Sequence, residues 1–374
     1  MSHVTHLPIA IVGGGLGGLI LARILHINGV HTVVFESDVS SSVRSQGGML
    51  DLHENNGQLA LKEAGLFEKF LEIIRPGAQA YRVLNKHGQL LTEAPDDGSL
   101  QRPEVKRSEL RQILLDSLPE ETLKWGFKLK EVSSVGSGKH LLTFTDGSVF
   151  TTDLVIGADG AWSKVRALVS AEKPIYSGTT YIEAYLYDVG KGHKAEARLV
   201  GNGAMYAFEP GKGIISHREP GDVIHTYVAL PKTLEWVEAI KFTDAKNALS
   251  IVAEEFRDWA PELRCLITEG DVAIARPLFT LPSGFRWNHL PGVTLLGDAA
   301  HLMLPTGEGA NLAMLDGCEL AKIIVNHQND LDAALIAYEE SMFERSAAES
   351  KEVEPLFDIL YGENAPQSFV EFMT

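Results

Sequence analysis

Cysteine is nearly absent. Cys265 and Cys318 are the only two in 374 residues, and their spacing suits neither a metal-ligand set nor a disulfide framework, so free thiols in a reducing cytoplasm are expected. No apolar run reaches membrane-spanning length, which speaks against bilayer insertion. The short polar start from Met1 to His6 leads straight into a strand pattern rather than into a secretory leader. Positive charge is scarce: 33 Lys and Arg against 50 Asp and Glu give a formal net charge of −17. A surface of that sign repels nucleic acid and anionic membranes. Helix ends and a few local arginines can still hold a phosphate-bearing cofactor. The 13 histidines form no HxxxH cluster, and no metal is expected. Repeats, low-complexity tracts and linkers are also missing.

The length favours two intimately packed domains over a single small core. Leu7 to Val12 is a short apolar run that stops at Gly13-Gly14-Gly15, as a buried parallel strand would. Leu16 to Ile27 is apolar nearly all round and ends at Asn28-Gly29, which predicts a buried helix. His31 to Glu36 completes a strand–helix–strand start. Leu59–Phe70 and Ser108–Leu118 have the spacing of amphipathic helices. From Thr122 to Phe150 short strands alternate with glycine turns, with Thr145-Asp146-Gly147-Ser148 as a hairpin turn. Asp153–Ile156 and Val293–Leu296 return to buried strands. Between about Tyr176 and Leu230 the chain alternates, as in Tyr181-Ile182-Glu183-Ala184-Tyr185, and predicts an antiparallel sheet with one covered face. Helices are expected over Thr233–Thr268, over Asn311–Val325 and from Leu331 to the apolar end Ser368–Met373.

Three segments carry chemistry. The first, Gly13-Gly14-Gly15-Leu16-Gly17-Gly18, is a GxGxxG that opens a helix directly after a strand. Gly13 makes the tight turn, Gly15 lets a pyrophosphate approach the backbone, and Gly18 lets helix and strand pack closely. The phosphate then meets the unpaired N–H groups and positive end of the helix. Glu36, about 20 residues on, stands where a carboxylate binds a ribose diol. A bare GxGxxG is common; strand, helix and Glu36 in context make it a dinucleotide site, without separating FAD from NAD. The second segment runs from Asp153 through Gly157-Ala158-Asp159-Gly160 to Ser163 and Arg166. Alone it reads equally well as a plain turn in which Asp159 caps the next helix. The third is Leu295-Leu296-Gly297-Asp298-Ala299-Ala300-His301, followed by Pro305-Thr306-Gly307-Glu308-Gly309-Ala310-Asn311. It sets Asp298 at the carboxyl edge of the sheet, where it could accept a ribityl hydroxyl. His301 reads as a satisfied structural histidine rather than a base. No Ser-His-Asp or paired-carboxylate arrangement stands out, so no catalytic side chain is assigned.

Taken together and in this order, the three segments resemble the group A FAD-dependent monooxygenases of aromatic-hydroxylase type. Within that family the sequence looks most like the tetracycline-inactivating monooxygenases. Supporting stretches are Gly47-Gly48-Met49-Leu50-Asp51-Leu52-His53 and Arg102 to Arg111. The resemblance implies an α/β fold: a Rossmann-like FAD-binding domain with a mixed or parallel sheet, interleaved with a substrate domain built on an antiparallel sheet, plus a C-terminal helix. It divides the chain into 1–70, 100–172 and 271–325 for FAD, 71–99 and 173–270 for substrate, and 326–374 as a helical tail. FAD would be held by Gly13, Gly15, Leu16, Gly18, Glu36, Arg44, Asp51, Arg107, Asp159, Gly297, Asp298, Gly309, Ala310 and Asn311. NADPH or NADH would serve as transient reductant, and O2 would add one oxygen to a small aromatic substrate through a flavin C4a-hydroperoxide. The substrate would lie between the flavin and the alternating sheet, partly under the C-terminal helix, with Glu183, His225, Pro305 and Gly307 lining it. A monomer is expected.

The sequence departs from the family in three places. The segment Leu304 to Gly309 looks one residue short and lacks the family's aromatic. Glu183 stands where the tetracycline-inactivating relatives have glutamine, and their substrate-contacting arginine has no evident counterpart near Gly201-Asn202-Gly203-Ala204. A tetracycline is plausible on this reading but not implied. A non-hydroxylating flavin oxidoreductase remains open as an alternative, although Trp125, Trp162, Trp236, Trp259 and Trp287 stand too far apart for the halogenase tryptophan motif. So does an aromatic-ligand-binding flavoprotein with little turnover.

Overall fold

A computed structural model describes residues 4–43, 47–327 and 330–374. The chain forms two compact units that interleave in sequence. The first comprises Met1–Ile73, Arg107–Ile175 and Phe279–Lys351; the second comprises Ile74–Lys106, Tyr176–Leu278 and Glu352–Thr374. The residues expected to form a separate tail, 326–374, are divided between the two, because the Leu331–Tyr361 helix belongs to both.

The first unit is built on a seven-stranded sheet with the order Leu123–Trp125, Val33–Glu36, Thr5–Val12, Val149–Gly157, Lys139–Phe144, Leu129–Gly136, and with Val293–Leu295 also pairing to Val149–Gly157. The pairings around Thr5–Val12 are parallel, as is that of Val293–Leu295. The hairpins formed by Lys139–Phe144 are antiparallel. Of the apolar run Leu7–Val12 the last four residues, Ile9 to Val12, are buried in the sheet's core, while Leu7 is half-buried and Pro8 exposed. The Leu16–Ile27 helix buries glycine and leucine alike. It crosses the Gly309–Asn326 helix so closely that a Cβ on Gly17 would stand 2.3 Å from the Ala313 oxygen, and one on Gly317 2.3 Å from the Gly17 oxygen. Phe35, Phe127, Phe144 and Phe150 close the other face with mutual tilted and edge-on contacts.

The single helix expected over Leu59–Phe70 is two, Gly57–Glu63 and Phe67–Leu71. Gly65 separates them: its φ of +68° breaks the helical path, and its N–H closes on the Lys62 oxygen.

The second unit has its own seven-stranded sheet: Val272–Thr280, Ile175–Leu186, Val223–Pro231, Lys212–Glu219, Ala204–Glu209, Tyr81–Leu84, Leu90–Ala94. Its alternating strands give two unlike faces. Ile182, Ala184, Leu186, Ile214, Ile224 and Val228 pack beneath the Ala245–Glu254 and Pro261–Thr268 helices. Tyr181, Glu183, Tyr185, His225 and Tyr227 alternate with them and occupy the opposite side. At one end of that side, Val83 and Phe208 are covered by Leu360, Ala365 and Phe369 of the C-terminal segment, and the Tyr181 and Tyr361 hydroxyls meet at 2.9 Å. Two short helices, Val189–Gly192 and Lys194–Val200, interrupt the region read as continuous alternation.

Candidate functional site

The three segments singled out in the sequence end on three neighbouring strands. Val12 is level with Gly157, and Gly157 with Leu295. The Ala158 N–H donates to the Val12 oxygen at 2.8 Å, and the Leu296 N–H to the Gly157 oxygen at 2.9 Å. Parallel pairing thus carries the chain ends Gly13–Gly18, Gly157–Gly160 and Gly297–Asp298 to one carboxyl edge, the place where open α/β sheets bind ligands.

At this edge Gly13 has φ +111°, and a Cβ there would lie 2.1 Å from the Ala158 oxygen. Only glycine permits both the turn and the approach. Gly18 backs onto the Gly13 oxygen, 2.3 Å from a would-be Cβ. A Cβ at Gly15, by contrast, would meet nothing within 4 Å, and no side chain caps the helix that starts beside it. That combination leaves open space against helix N–H groups and the positive helix end, which suits a pyrophosphate. Leu16, next along, is buried in the helix packing.

Glu36 is buried at the end of its strand. Its Oε2 accepts from the Gly14 N–H at 2.9 Å and faces an Arg111 Nη2 at 3.4 Å, while its Oε1 accepts from the Asp38 N–H and the Ser37 hydroxyl. Arg111 also donates to the Gly14 oxygen at 2.9 Å. The glycine turn is therefore held by an acid and a base, of which the sequence motif discloses only the acid. Arg111 stands four residues after Arg107, one turn up the same helix, and that spacing is the available signal. Arg107 lies against the glycine pair: its N–H donates to the Gly48 oxygen, and Gly47 faces its side chain. Arg44 lies outside the described residues.

Asp159 caps no helix, because the next one begins at Arg166 without a side-chain cap; its Oδ2 instead accepts from the Lys164 N–H at 2.7 Å in the turn before it. Its Oδ1 is buried with no hydrogen-bond partner, and burial raises the carboxyl above its ordinary range. A buried acceptor in this state calls for a donor, such as a ligand hydroxyl or amide. Arg166, buried, donates to the Ala299 and Ala161 oxygens and so ties the second segment to the third. The Asp298 side chain is exposed at the edge. The reading of His301 as structural holds: its Nε2 lies 2.6 Å from Asp316 Oδ2, which also receives the Gly297 N–H, while Arg345 pairs with Asp316 Oδ1 at 2.8 Å. Burial opposes the His301 charge, but Asp316 outweighs it and the histidine's pKa is raised.

Beyond Pro305 and Gly307, both exposed, the Gly309–Asn326 helix begins with no side-chain cap and with open space at Gly309. Ala310 is partly exposed in its first turn. Asn311 is buried, and its amide is already committed. Its Oδ1 accepts from the His53 and Gly57 N–H groups, and its Nδ2 donates to the Asp51 oxygen. Beside it, His53 bridges Asp51 at 3.0 Å and Glu308 at 2.8 Å. Hydrogen bonds to Asp51, then to Glu308, push its pKa up to about 9.

These features fit a dinucleotide cofactor. Open space lies over two uncapped helix starts, and a buried acceptor lacks a partner beside an exposed carboxylate. All of them lie in the first unit.

On the second unit's sheet, Glu183 and His225 are both buried and neither faces solvent. Arg276 grips the Glu183 carboxylate from Nε at 3.1 Å and Nη2 at 3.4 Å, and the Tyr185 hydroxyl adds a third contact. A guanidinium thus already holds the place beside Glu183 that a ligand's cationic amine would take. His225 has its Nδ1 2.8 Å from Glu219 Oε1 and is stacked on Tyr185 at 4.0 Å between ring centres. Its Nε2 is buried with no partner. With the Nδ1 proton donated to Glu219, that Nε2 presents a lone pair. Burial, and secondarily Glu183, raise the Tyr227 hydroxyl well above its ordinary value.

Among the described residues no helix is long and apolar enough to cross a membrane, and no group of three or more His, Cys, Asp or Glu could hold a metal ion. The sequence pattern of a family described as an FAD binding domain matches residues 6–193 and 286–349. Monooxygenase asqM of Emericella nidulans is 31% identical, with 92% of this chain and 94% of that protein covered. Monooxygenase penA of Penicillium thymicola is 30% identical, with 91% and 92% covered. The fold is shared with Klebsiella pneumoniae HpxO, whose structure holds FAD and uric acid (TM-score 0.79, 22% identity, 98% of this chain and 91% of that one). It is shared too with 2,6-dihydroxypyridine-3-hydroxylase of Arthrobacter nicotinovorans (0.81, 19%, 98% and 96%) and with tetracycline destructase Tet(51) (0.73, 18%, 100% and 95%). With its family pattern falling on the same three segments that meet at the sheet edge, the chain belongs to the family of this FAD binding domain, with monooxygenases among its relatives.

Proposed function

We propose that the protein takes electrons from NADPH or NADH and inserts one atom of O2 into an aromatic or polycyclic small molecule. The observation that carries this reading is the convergence of three glycine-bearing strand ends on one edge, with space left open at Gly15 and Gly309. Bound FAD supplies the two-electron relay and the activation of dioxygen; the chain supplies position, polarity and exclusion of water. On this reading Gly13, Gly15, Leu16 and Gly18 seat the pyrophosphate. Glu36 takes the adenosine ribose, Asp298 and Arg107 the ribityl and phosphate region, and Asp159 a hydroxyl through its free oxygen. Gly297 and Asp51 border the cofactor. The Gly309, Ala310 and Asn311 N–H groups, at the positive end of a helix, stabilise negative charge gathered on the ring.

The substrate belongs to the aromatic face of the second unit's sheet. Tyr185 and Tyr227 offer ring surfaces, and His225 Nε2 accepts a hydrogen bond from a phenolic or enolic hydroxyl. Because Arg276 satisfies Glu183, an acidic or neutral hydroxylated ring suits this face better than an amine. A tetracycline remains a candidate through its oxygens. A cytoplasmic monomer is part of the proposal.

The experiment is NADPH and NADH oxidation across phenols, nicotinates, hydroxyquinolines and tetracyclines, with catalase present and mass spectrometry for a product heavier by one oxygen. Nicotinamide consumption without any oxygenated product from the whole panel would turn the assignment toward a flavin oxidoreductase. Asp298→Ala should lower flavin content more than it lowers the melting temperature; normal flavin and turnover would reduce Asp298 to a turn residue.

A further inference from the structure

His53 has carboxylate oxygens at both ring nitrogens. Nε2 faces Asp51 Oδ2 at 3.0 Å and Nδ1 faces Glu308 Oε1 at 2.8 Å. Carboxylates only accept, so both contacts are hydrogen bonds only when both nitrogens carry protons, which is the imidazolium. The two acids come from distant stretches of chain. Asp51 closes the Met49–Asp51 strand, and Glu308 immediately precedes the Gly309–Asn326 helix. Uncharged contacts run alongside: Asn311 takes the His53 N–H, and Asn56 donates to Glu308 Oε2 at 3.3 Å. Gly307 comes within 3.9 Å of Asp51 Oδ1, measured from its would-be Cβ.

We propose that His53 is a positioning residue: as an imidazolium it clamps Glu308 to Asp51, fixes the 305–311 stretch that faces the flavin, and thereby sets FAD affinity. The inference rests on reading that stretch as flavin-facing. Asp51 and Glu308 are the charged groups that act on the ring, and both favour its proton. The folded pKa is therefore raised from 6.5 to about 9. A raised histidine contributes fully below its unfolded value and is lost as pH rises through the folded one. The clamp is whole at neutral pH and opens through about pH 9. Losing that proton also removes a positive charge from beside the helix start, which disfavours any negative charge on the flavin ring.

The test uses apoprotein and FAD, with dissociation constants from quenching of flavin fluorescence between pH 7 and 10. Wild type, His53→Gln and Glu308→Gln are compared, each checked for folding by circular dichroism. Loss of charged hydrogen bonds should weaken FAD binding by about tenfold at pH 7 in His53→Gln. That variant should lose the alkaline step, whereas wild type should weaken by about tenfold through the step. Glu308→Gln, which removes one acid, should move the step to lower pH. The flavin's own alkaline ionisation is common to all three proteins and cancels in the ratios. Nitrogen NMR of labelled histidine should show both His53 nitrogens protonated at pH 7.5. Parallel pH curves for wild type and His53→Gln, or a neutral His53 ring at pH 7.5, would overturn the clamp. Failure of wild type to bind FAD at any pH would instead overturn the cofactor reading, and the nitrogen spectra would still decide the state of His53.

Discussion

The glycine edge of the first unit and the aromatic face of the second are built by opposite means. At the edge the working parts are backbone groups, and side chains serve mainly to hold that backbone: Arg111 and Glu36 grip Gly14, Asn311 grips residues 51–57, and Asp316 grips Gly297. On the face the side chains themselves are presented, and they are matched across strands, Glu183 to Arg276 and His225 to Glu219. A site made of backbone is fixed by where a chain can turn. A site made of side chains is fixed by register, and one substitution re-aims it.

The comparison can be broken most severely at Gly13. Gly13→Ala pushes a Cβ against a backbone oxygen at a positive φ. It should destabilise the first unit by about 4 kcal/mol or more, read as a lost or lowered melting transition. A normal melting temperature would show that the turn can shift and that the edge is not backbone-determined. Asp316→Asn comes next, leaving His301 without its buried carboxylate and Arg345 with Glu319 alone; urea denaturation should show a loss of about 3 kcal/mol. The pair also fixes a pH window. The stabilisation from His301, whose pKa is raised, is whole below its ordinary 6.5 and fades as pH rises through its folded value. That from Asp316, whose pKa is lowered, is whole above its ordinary 3.8 and fades in acid. The variant should lose both limbs; an unchanged stability profile would deny the pair this role.

Gly15→Ala sharpens the comparison. Nothing lies within 4 Å of the new methyl, so folding should change by under about 1 kcal/mol. FAD affinity should still fall by about tenfold, because the methyl occupies the pyrophosphate's approach. Equal FAD content in Gly15→Ala and wild type would remove the pyrophosphate from this spot. The smallest effect is expected on the aromatic face. Glu183→Gln keeps the shape and frees a half-exposed Arg276, at a cost of about 1 kcal/mol or less. Flavin content should be untouched and KM should fall for anionic relative to amine-bearing substrates. Identical KM values across both substrate types would place Glu183 outside the substrate's reach.

This contrast also explains what can be read from the sequence. Gly13, Gly15 and Gly18 are legible because turn geometry and phosphate approach restrict those positions to glycine at a fixed spacing after a strand. The two-faced sheet is legible from the alternation at Tyr181–Tyr185. The pairing of Glu183 with Arg276 is not, because the partners are 93 residues apart and meet only through strand order. Asn311 points to the cofactor by its place at a helix start, yet its amide is used on His53, Gly57 and Asp51, which no local pattern discloses. The break at Gly65 shows in the sequence only as a glycine inside a helical pattern, and the apolar spacing continues across it.

The Val149–Gly157 strand holds Thr5–Val12 on one side, and on the other it takes Lys139–Phe144 along its first half and Val293–Leu295 along its second. That arrangement imposes an order of events. The GxGxxG turn and its strand are made early in synthesis, yet their edge stays unfinished until residues 293–295 dock and the Gly309–Asn326 helix settles against Gly17. Such long sequence separations slow folding and leave the early strands exposed in the meantime. A nascent chain released at about residue 290 should bring its fingerprint glycines to the solvent without being able to keep a flavin. Cofactor loading is thus a late checkpoint on a chain whose cofactor signature is written first.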